Sequence, residues 1–269
     1  DLATFPLFAL FDPALGMTTV VPDMDASRPA GVDPRNIAAA IADFGVTNMF
    51  GSPALLDAVS RWAAPRGHVF ATLRRVISAG APVSPRILER FARCLPAGAR
   101  IHTPYGATES LPIASIDHVE VLGETRAATA TGRGICVGRP VPSIRVDVIR
   151  IDDAPIASWS DGLRVPDGDV GEITVLGPQV TTHYFDAREE TARHKITAAD
   201  GRGVHHRTGD VGYLDASGRL WYCGRKAHRV ETEELRGHLE EGVLDLPLGA
   251  RPPLAAELVE GGRAAFPRG

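Results

Sequence analysis

Cysteine pairs, basic stripes and long apolar runs are all missing from this chain, and each absence closes off a class of protein. Cys94, Cys136 and Cys223 stand alone, with no C-x-x-C spacing, which argues against a disulfide frame or a zinc site. Reduced thiols make the cytoplasm the expected compartment. No apolar run approaches the ~18 residues that a membrane span needs, so no span is expected. Lys and Arg number 29 against 33 Asp and Glu, a net charge of −4, and the arginines are scattered among acids. Bulk charge therefore gives no case for a nucleic-acid partner. A secretory signal is also lacking, and the chain opens at Asp1 with neither an initiator Met nor a capping signal, as a fragment would. What remains is 269 residues with 44% apolar content, enough for one large globular domain or two modest ones.

The first half reads as helix–strand alternation. Pro34 follows Asp33 at a helix start, apolar Ile37, Ala38, Ile41 and Phe44 recur at helical spacing, and Gly45 ends the run. Residues 46–50 read as a short buried strand, and Ser52-Pro53 opens a second helix through Leu56, Val59 and Trp62. A strand at 73–77 comes next. Ser84-Pro85 then opens a third helix with Ile87, Leu88, Phe91 and Leu95 on one face, before a strand at 100–103. The alternation predicts an α/β fold, a sheet with crossover helices, over residues 1–130. From 131 to 224, short strands at 144–151, 170–176 and 219–223 predict a β-rich subdomain, with one helix near 187–195. Residues 232–269 fit neither pattern, apart from a candidate helix at 233–241.

The chemistry concentrates in Tyr105-Gly106-Ala107-Thr108-Glu109, in Thr208-Gly209-Asp210 about a hundred residues later, and in Gly224-Arg225. Tyr105 offers a flat face for adenine, a stacking contact worth about 1–3 kcal/mol; a tyrosine of the core or of a turn is the plain alternative. Thr108 and Glu109 offer a hydroxyl for a phosphate and a carboxylate for Mg2+, a cation that takes oxygen ligands. The same pair suits an ordinary helix N-cap, and an anion held at a helix N-terminus would use the same N–H groups. Gly80, Ala81 and Pro82 lack bulk, so their backbone can approach a ligand closely, or they simply link a strand to a helix. Asp210, at a turn after Gly209, has two oxygens that can accept from both hydroxyls of a ribose. Thr-Gly-Asp by itself is an ordinary turn. Arg225 has the planar fork suited to phosphate. His205-His206 has no Cys or carboxylate at ligand spacing and reads as a pair of surface or loop histidines rather than a metal site.

Taken in order, these segments resemble the AMP-forming acyl- and aryl-CoA synthetases, adenylation domains and luciferases, from Phe5 to about Val230. Phe5-Pro6-Leu7-Phe8 is similar to that family's P-L-F-H, and residues 78–82 to its G-G-A-P loop. Val137-Gly138-Arg139-Pro140 is similar to V-G-R-P, and Gly171-Glu172-Ile173 with Leu176-Gly177 to G-E-I-x-x-x-G. The resemblance implies part of the large N-terminal domain of an adenylate-forming enzyme, with ATP and AMP as nucleotides, Mg2+, and a small carboxylic acid as substrate. It implies an adenine and acyl pocket in 1–130, with Tyr105, Gly106, Gly80, Ala81 and Pro82 about the adenine. Segments 50–53 and 78–81 with Leu111 and Ile113 would line the acyl part. Thr108 and Glu109 would act at the phosphate and Mg2+. Asp210 in 131–224 would hold the ribose, with Tyr222 twelve residues on and Arg225 fifteen residues on facing ribose and phosphate. A hinge would span 225–231. An enzyme complex of the same pathway is a further partner that the resemblance allows.

The chain also departs from that family. It has no Ser/Thr/Gly-rich loop ending in P-K-G, the part that wraps the outer phosphates of ATP with backbone N–H groups, and no small C-terminal domain with its lysine. Ala9 stands where many relatives carry His, Ala227 where the hinge has Asp or Lys, and Glu231 where Lys is common. These changes weigh against CoA chemistry. Thr-Pro-Tyr-Gly-Ala-Thr-Glu at 103–109 and the string from Gly224 to Thr232 resemble the branch acting in bacterial long-chain olefin biosynthesis. That branch adenylates a β-hydroxy fatty acid and closes a β-lactone. A long-chain acyl-CoA ligase and a nucleotide-binding piece without turnover are the alternatives. A structural or interaction domain would require the nucleotide motifs to be coincidental.

Overall fold

The computed structural model describes residues 1–228. The expected hinge beyond 228, with Glu231, and the tail 232–269 with its candidate helix at 233–241 lie outside the described residues. The described chain divides into two compact units, one formed by Asp1–Arg126 with Val137–Val141, the other by Ala127–Cys136 with the described residues from Pro142.

In the first unit, β1 (Leu2–Ala3), α1 (Pro6–Phe11), α2 (Pro34–Phe44), β2 (Asn48–Phe50), α3 (Pro53–Ala63), β3 (Arg75–Ile77), α4 (Pro85–Ala92) and β4 (Arg100–Ala107) follow one another. Strands β1 to β4 pair in parallel in that order. The chain then reverses into β5 (Ser110–Asp117), antiparallel to β4. Three helices start by one device. Asp33, Ser52 and Ser84 cap them through side-chain oxygens that accept from the backbone N–H groups of Arg35, Leu55 and Ile87. Proline follows each cap, where its missing N–H costs nothing. Gly45 closes α2 in the left-handed conformation at φ 59°. The apolar stripes of α2 to α4 (Ile37, Ile41, Leu55, Leu56, Val59, Leu88, Phe91) pack onto Met49, Val76 and Ile101 of the strands to form the core. Phe44, counted in the stripe by its spacing, is 70% exposed instead, because the helix ends there and the chain turns at Gly45.

Thr108 and Glu109 do not start a helix. They form the turn that joins β4 to β5, with Ala107 paired to Ser110. The chain beyond the turn runs as a strand with Ser110, Ile113, Ala114 and Ile116 buried, and its pairing with β4 overrides the N-cap chemistry of Thr and Glu. Helical turns follow, α5 (His118–Glu120), a π-helical stretch (Val121–Thr125) and α6 (Arg126–Ala130), then β6 (Ile135–Pro140).

The second unit is built on β7 (Arg145–Ile149), β8 (Gly171–Leu176), α7 (Arg188–His194), β9 (Lys195–Thr197), β10 (Val204–Leu214) and β11 (Leu220–Arg225). The antiparallel order is β11, β10, β8, β7, with β9 on the first part of β10. Thr208-Gly209-Asp210, expected as a turn, lies inside β10 at an irregularity where the register against β8 shifts between Arg207 and Val211. Gly209 takes φ 69° there, which an L side chain rarely adopts. His205 and His206 are not surface residues either. Each is 2% exposed, because β10 is a central strand covered on both faces. His205 stacks on Trp159 with ring centroids 3.8 Å apart and an interplanar angle of 6°.

Two outcomes follow from this packing. Phe91→Ala empties a fully buried site against Phe70 and should lower unfolding free energy by about 3–5 kcal/mol in a denaturant titration. Burial, and then the charge of Arg145, hold the His205 imidazole down at about 4. Its pKa in the unfolded chain is about 6.5, so there it takes a proton that the folded protein refuses. Its contribution to stability is complete above pH ~6.5 and is lost as pH falls toward 4, on the order of 3 kcal/mol in all. Thermal unfolding of His205→Phe should therefore depend less on pH across that window than unfolding of the native chain.

Candidate functional site

In a parallel sheet the loops at the carboxyl ends of the strands share one edge, and ligands bind there. Residues 78–84 leave β3, and 108–109 leave its neighbour β4. The backbone N–H of Ser78 bonds to the carbonyl of His102 at 2.9 Å, holding the start of the first loop against β4. Gly80 turns at φ 93° with open space where a Cβ would be, and Ala81 and Pro82 are exposed beside it. Tyr105 is half-buried in β4, its backbone paired with Ala114. Gly106 is the close point of the hairpin. A Cβ there would stand 2.6 Å from the Ser110 carbonyl oxygen and 3.2 Å from Leu111 Cα. Thr108 is exposed and Glu109 half-buried.

The other expected residues lie in the second unit, and the antiparallel register of β10 and β11 brings them together. Asp210 pairs with Arg225 across the strands, and Gly212 with Tyr222. Arg225 Nη1 donates to Asp210 Oδ1 at 2.7 Å. Asp210 is 7% exposed, whereas the Arg225 side chain is half-exposed at 51%. Burial, and then the neighbouring Asp210 carboxylate, push the Tyr222 hydroxyl above its usual range. The Thr208 hydroxyl donates to the Ile173 carbonyl at 2.9 Å and accepts from Asp210 N–H at 3.1 Å, which sets the kink that presents Asp210.

Three charged residues beside this cluster were not singled out by the sequence. Arg207 donates to Glu172 Oε2 through Nε at 3.1 Å and Nη2 at 2.6 Å, and Lys226 Nζ donates to the same oxygen at 3.1 Å. Arg207 and Glu172 are 1% and 0% exposed. Their positions carried a signal: Arg207 immediately precedes Thr-Gly-Asp, Glu172 is the acid of the Gly-Glu-Ile motif, and Lys226 follows Arg225. The hydroxyls of Ser78 and Ser110, both buried, have no hydrogen-bond partner among the described residues. A shallow cavity of about 710 Å³ lies at the opposite, amino ends of β2 to β4, lined by Thr47, Thr72, Arg74 and Gly98 among others. None of the expected site residues lines it.

These features define a class, an α/β protein whose motif loops leave the carboxyl ends of a parallel sheet, followed by a β-sheet unit carrying a buried acid paired to an exposed arginine. Residues 7–185 match the AMP-binding enzyme family, and the chain belongs to it. It is 55% identical over 235 residues to the olefin β-lactone synthetase of Stenotrophomonas maltophilia, covering 86% of this chain and 42% of that protein. The olefin β-lactone synthetase of Xanthomonas campestris pv. campestris is 53% identical over 236 residues, covering 86% and 41%. Among solved structures, the amide bond synthetase McbA from Marinactinospora thermotolerans superposes with a TM-score of 0.58 at 26% identity, over 75% of this chain and 36% of that one. The chain thus spans about two fifths of the length of the curated relatives it matches.

The hairpin geometry sets its own test. Gly106→Ala drives a methyl group into main-chain atoms of the partner strand, so it should cost about 1–3 kcal/mol in unfolding free energy, read from the denaturant midpoint.

Proposed function

We propose that the protein to which this chain belongs activates a carboxylic acid with ATP, giving an acyl-adenylate, and then closes a β-lactone with release of AMP. A long-chain β-hydroxy fatty acid is the substrate of this reading. The observation that carries it is the identity of 53–55% with olefin β-lactone synthetases over most of the chain. In the first step a carboxylate oxygen attacks the α-phosphorus of ATP and the bond to pyrophosphate breaks. In the second, the β-hydroxyl oxygen attacks the acyl carbonyl carbon, the bond to AMP breaks, and the hydroxyl proton passes to solvent. Positioning matters most in the second step, because nucleophile and electrophile sit on one molecule.

Each unit supplies residues whose chemistry supports this reading. Gly80 leaves open space, Gly106 sits where a side chain would meet main chain, and Tyr105 supplies the stacking face. Asp210 offers its carboxylate to the ribose hydroxyls, Tyr222 lies beside it, and the exposed fork of Arg225 reaches phosphate. Thr108 donates its hydroxyl to the α-phosphate. Glu109 would hold Mg2+, which offsets the negative charge that builds on the phosphate oxygens. Among the described residues no group of three His, Cys, Asp or Glu could hold a metal, so the ion would rely on water and phosphate for its other ligands, as Mg2+ commonly does. Unpartnered Ser78 and Ser110 hydroxyls beside the two loops agree with a polar ligand or water there.

A conventional long-chain acyl-CoA ligase is the second reading. Ala9 and Ala227, where CoA-using relatives carry His and an acidic or basic hinge residue, favour the lactone. Cys94, Cys136 and Cys223 are in no disulfide among the described residues, which agrees with a cytoplasmic protein, and among the described residues no helix is long and apolar enough to cross a membrane. An enzyme complex of the same pathway fits this reading as a partner.

Calorimetry of AMP and of a non-hydrolysable acyl-adenylate mimic against this chain and Asp210→Ala tests the site. Loss of the carboxylate should weaken binding by about 1–3 kcal/mol. Acid-dependent ATP–pyrophosphate exchange by a longer form of the protein, with β-hydroxy acid and 3-deoxy acid compared for lactone formation, tests the reaction. Exchange by the longer form alone would make this chain the binding part of the enzyme, and thioester formation with CoA would replace the lactone reading.

A further inference from the structure

We propose that Lys226 is a positioning residue that fixes Arg225 over Asp210 by tying the end of β11 to the buried carboxylate of Glu172; this rests on the reading of Asp210 and Arg225 as the ribose and phosphate groups. The charge balance of the cluster is what points to it. Arg207 already neutralises Glu172 through two hydrogen bonds to Oε2. Its remaining donors go to the carbonyls of Asp152, Ala154 (2.8 Å) and Arg193 (3.3 Å). The Arg207–Glu172 pair is therefore neutral as a unit, with every guanidinium donor used and Glu172 Oε1 left without a hydrogen-bond partner among the described residues, and Lys226 brings a second cation to Oε2, whose charge Arg207 already offsets. A Lys that is not needed to neutralise a buried acid is kept there by where it holds the chain.

Lys226 Nζ bonds to Glu172 Oε2 at 3.1 Å and to the Asp152 carbonyl at 3.0 Å, with Asp153 Oδ1 3.9 Å away, and its side chain is only 16% exposed. Arg225, the preceding residue, bonds to Asp210 Oδ1 at 2.7 Å while half-exposed. Two consecutive side chains thus grip two carboxylates, one on β8 and one on β10, and the backbone between them cannot swing without breaking one grip. An exposed arginine alone would lose much of its order to rotamer freedom, since a surface ion pair contributes little by itself. With Lys226 anchored, the Arg225 fork is presented already aligned, which lowers the ordering cost when an anion binds.

The test compares the native chain with Lys226→Met, which keeps most of the stem, and Lys226→Arg, which keeps the charge. Amide hydrogen exchange should quicken about tenfold or more in peptides covering 220–228 of Lys226→Met, while peptides over β7, β8 and β9 and the thermal midpoint stay near native. Lys226→Arg should restore most of the protection. AMP affinity should fall about tenfold in Lys226→Met and recover in Lys226→Arg. Unchanged exchange at 220–228, or exchange that rises throughout the unit with a falling midpoint, would overturn the proposal, the second by making Lys226 a general structural residue. Failure of the native chain to bind AMP would instead count against the nucleotide reading, while the exchange result still decides whether Lys226 holds this segment.

Discussion

The ion pair between Arg207 and Glu172 is the interaction on which the second unit depends. Both groups are out of water, and moving two charges there is expensive unless geometry and hydrogen bonds offset it. Here the guanidinium meets the carboxylate with two nitrogens, and its other donors meet backbone carbonyls at 152, 154 and 193. One arginine thereby binds β8, the loop before it and the end of α7 to β10. Removing Glu172 leaves the buried guanidinium of Arg207 uncompensated, a loss of about 3–5 kcal/mol in comparable cases. Such a pair sets strand order and register more sharply than apolar packing would, because a shifted register would strand the charge.

What this pair fixes has chemical consequences three residues along. From Arg207 the strand runs through Thr208, whose hydroxyl is committed to β8 and to the backbone of Asp210, and through Gly209 in a left-handed conformation. The kink delivers a carboxylate that is nearly buried yet faces an exposed arginine. A carboxylate in that setting can accept from neutral hydroxyls without bulk water competing for it. In the first unit the corresponding constraint is steric. Gly106 sits where main chain of the return strand leaves no room for a side chain, so the hairpin can hold Tyr105 and Glu109 on the edge where the β3 loop also emerges.

Membership of the AMP-binding enzyme family accounts for the ordered motifs and for the mixed architecture, a parallel sheet with crossover helices followed by an antiparallel one. The chain covers about two fifths of its curated relatives, and the whole activity of those relatives comes to it only as a proposal. The groups proposed to meet adenosine lie on strands and their connecting turns. Such supports hold donors and acceptors to the tolerance that recognition requires.

Local signals made much of this legible. Asp or Ser before Pro marked three helix starts because a cap and a proline act within four residues, and the apolar periodicity of α2 to α4 marked their buried faces. The identity of the motif residues was likewise readable, since each owes its candidacy to its own chemistry and order. Where long-range pairing decides, the sequence misled. Thr108 and Glu109 look like a helix start, and only the pairing of Ala107 with Ser110 makes them a turn. Thr208 to Asp210 look like a loop, and His205 and His206 look like surface. They belong to a central strand because β8, β9 and β11 cover it, and the residues that do so are distant in sequence. Arg207, Glu172 and Lys226 each stand in or beside a motif, but for the same reason their pairing was not legible. Arg207 and Lys226 lie 35 and 54 residues from Glu172, and a buried ion pair leaves no periodicity or spacing of its own. Capping, helical amphipathicity and motif chemistry act over a few residues and so were set by the sequence alone. Burial, register and charge pairing depend on which distant strands meet, and that was decided only by the tertiary structure.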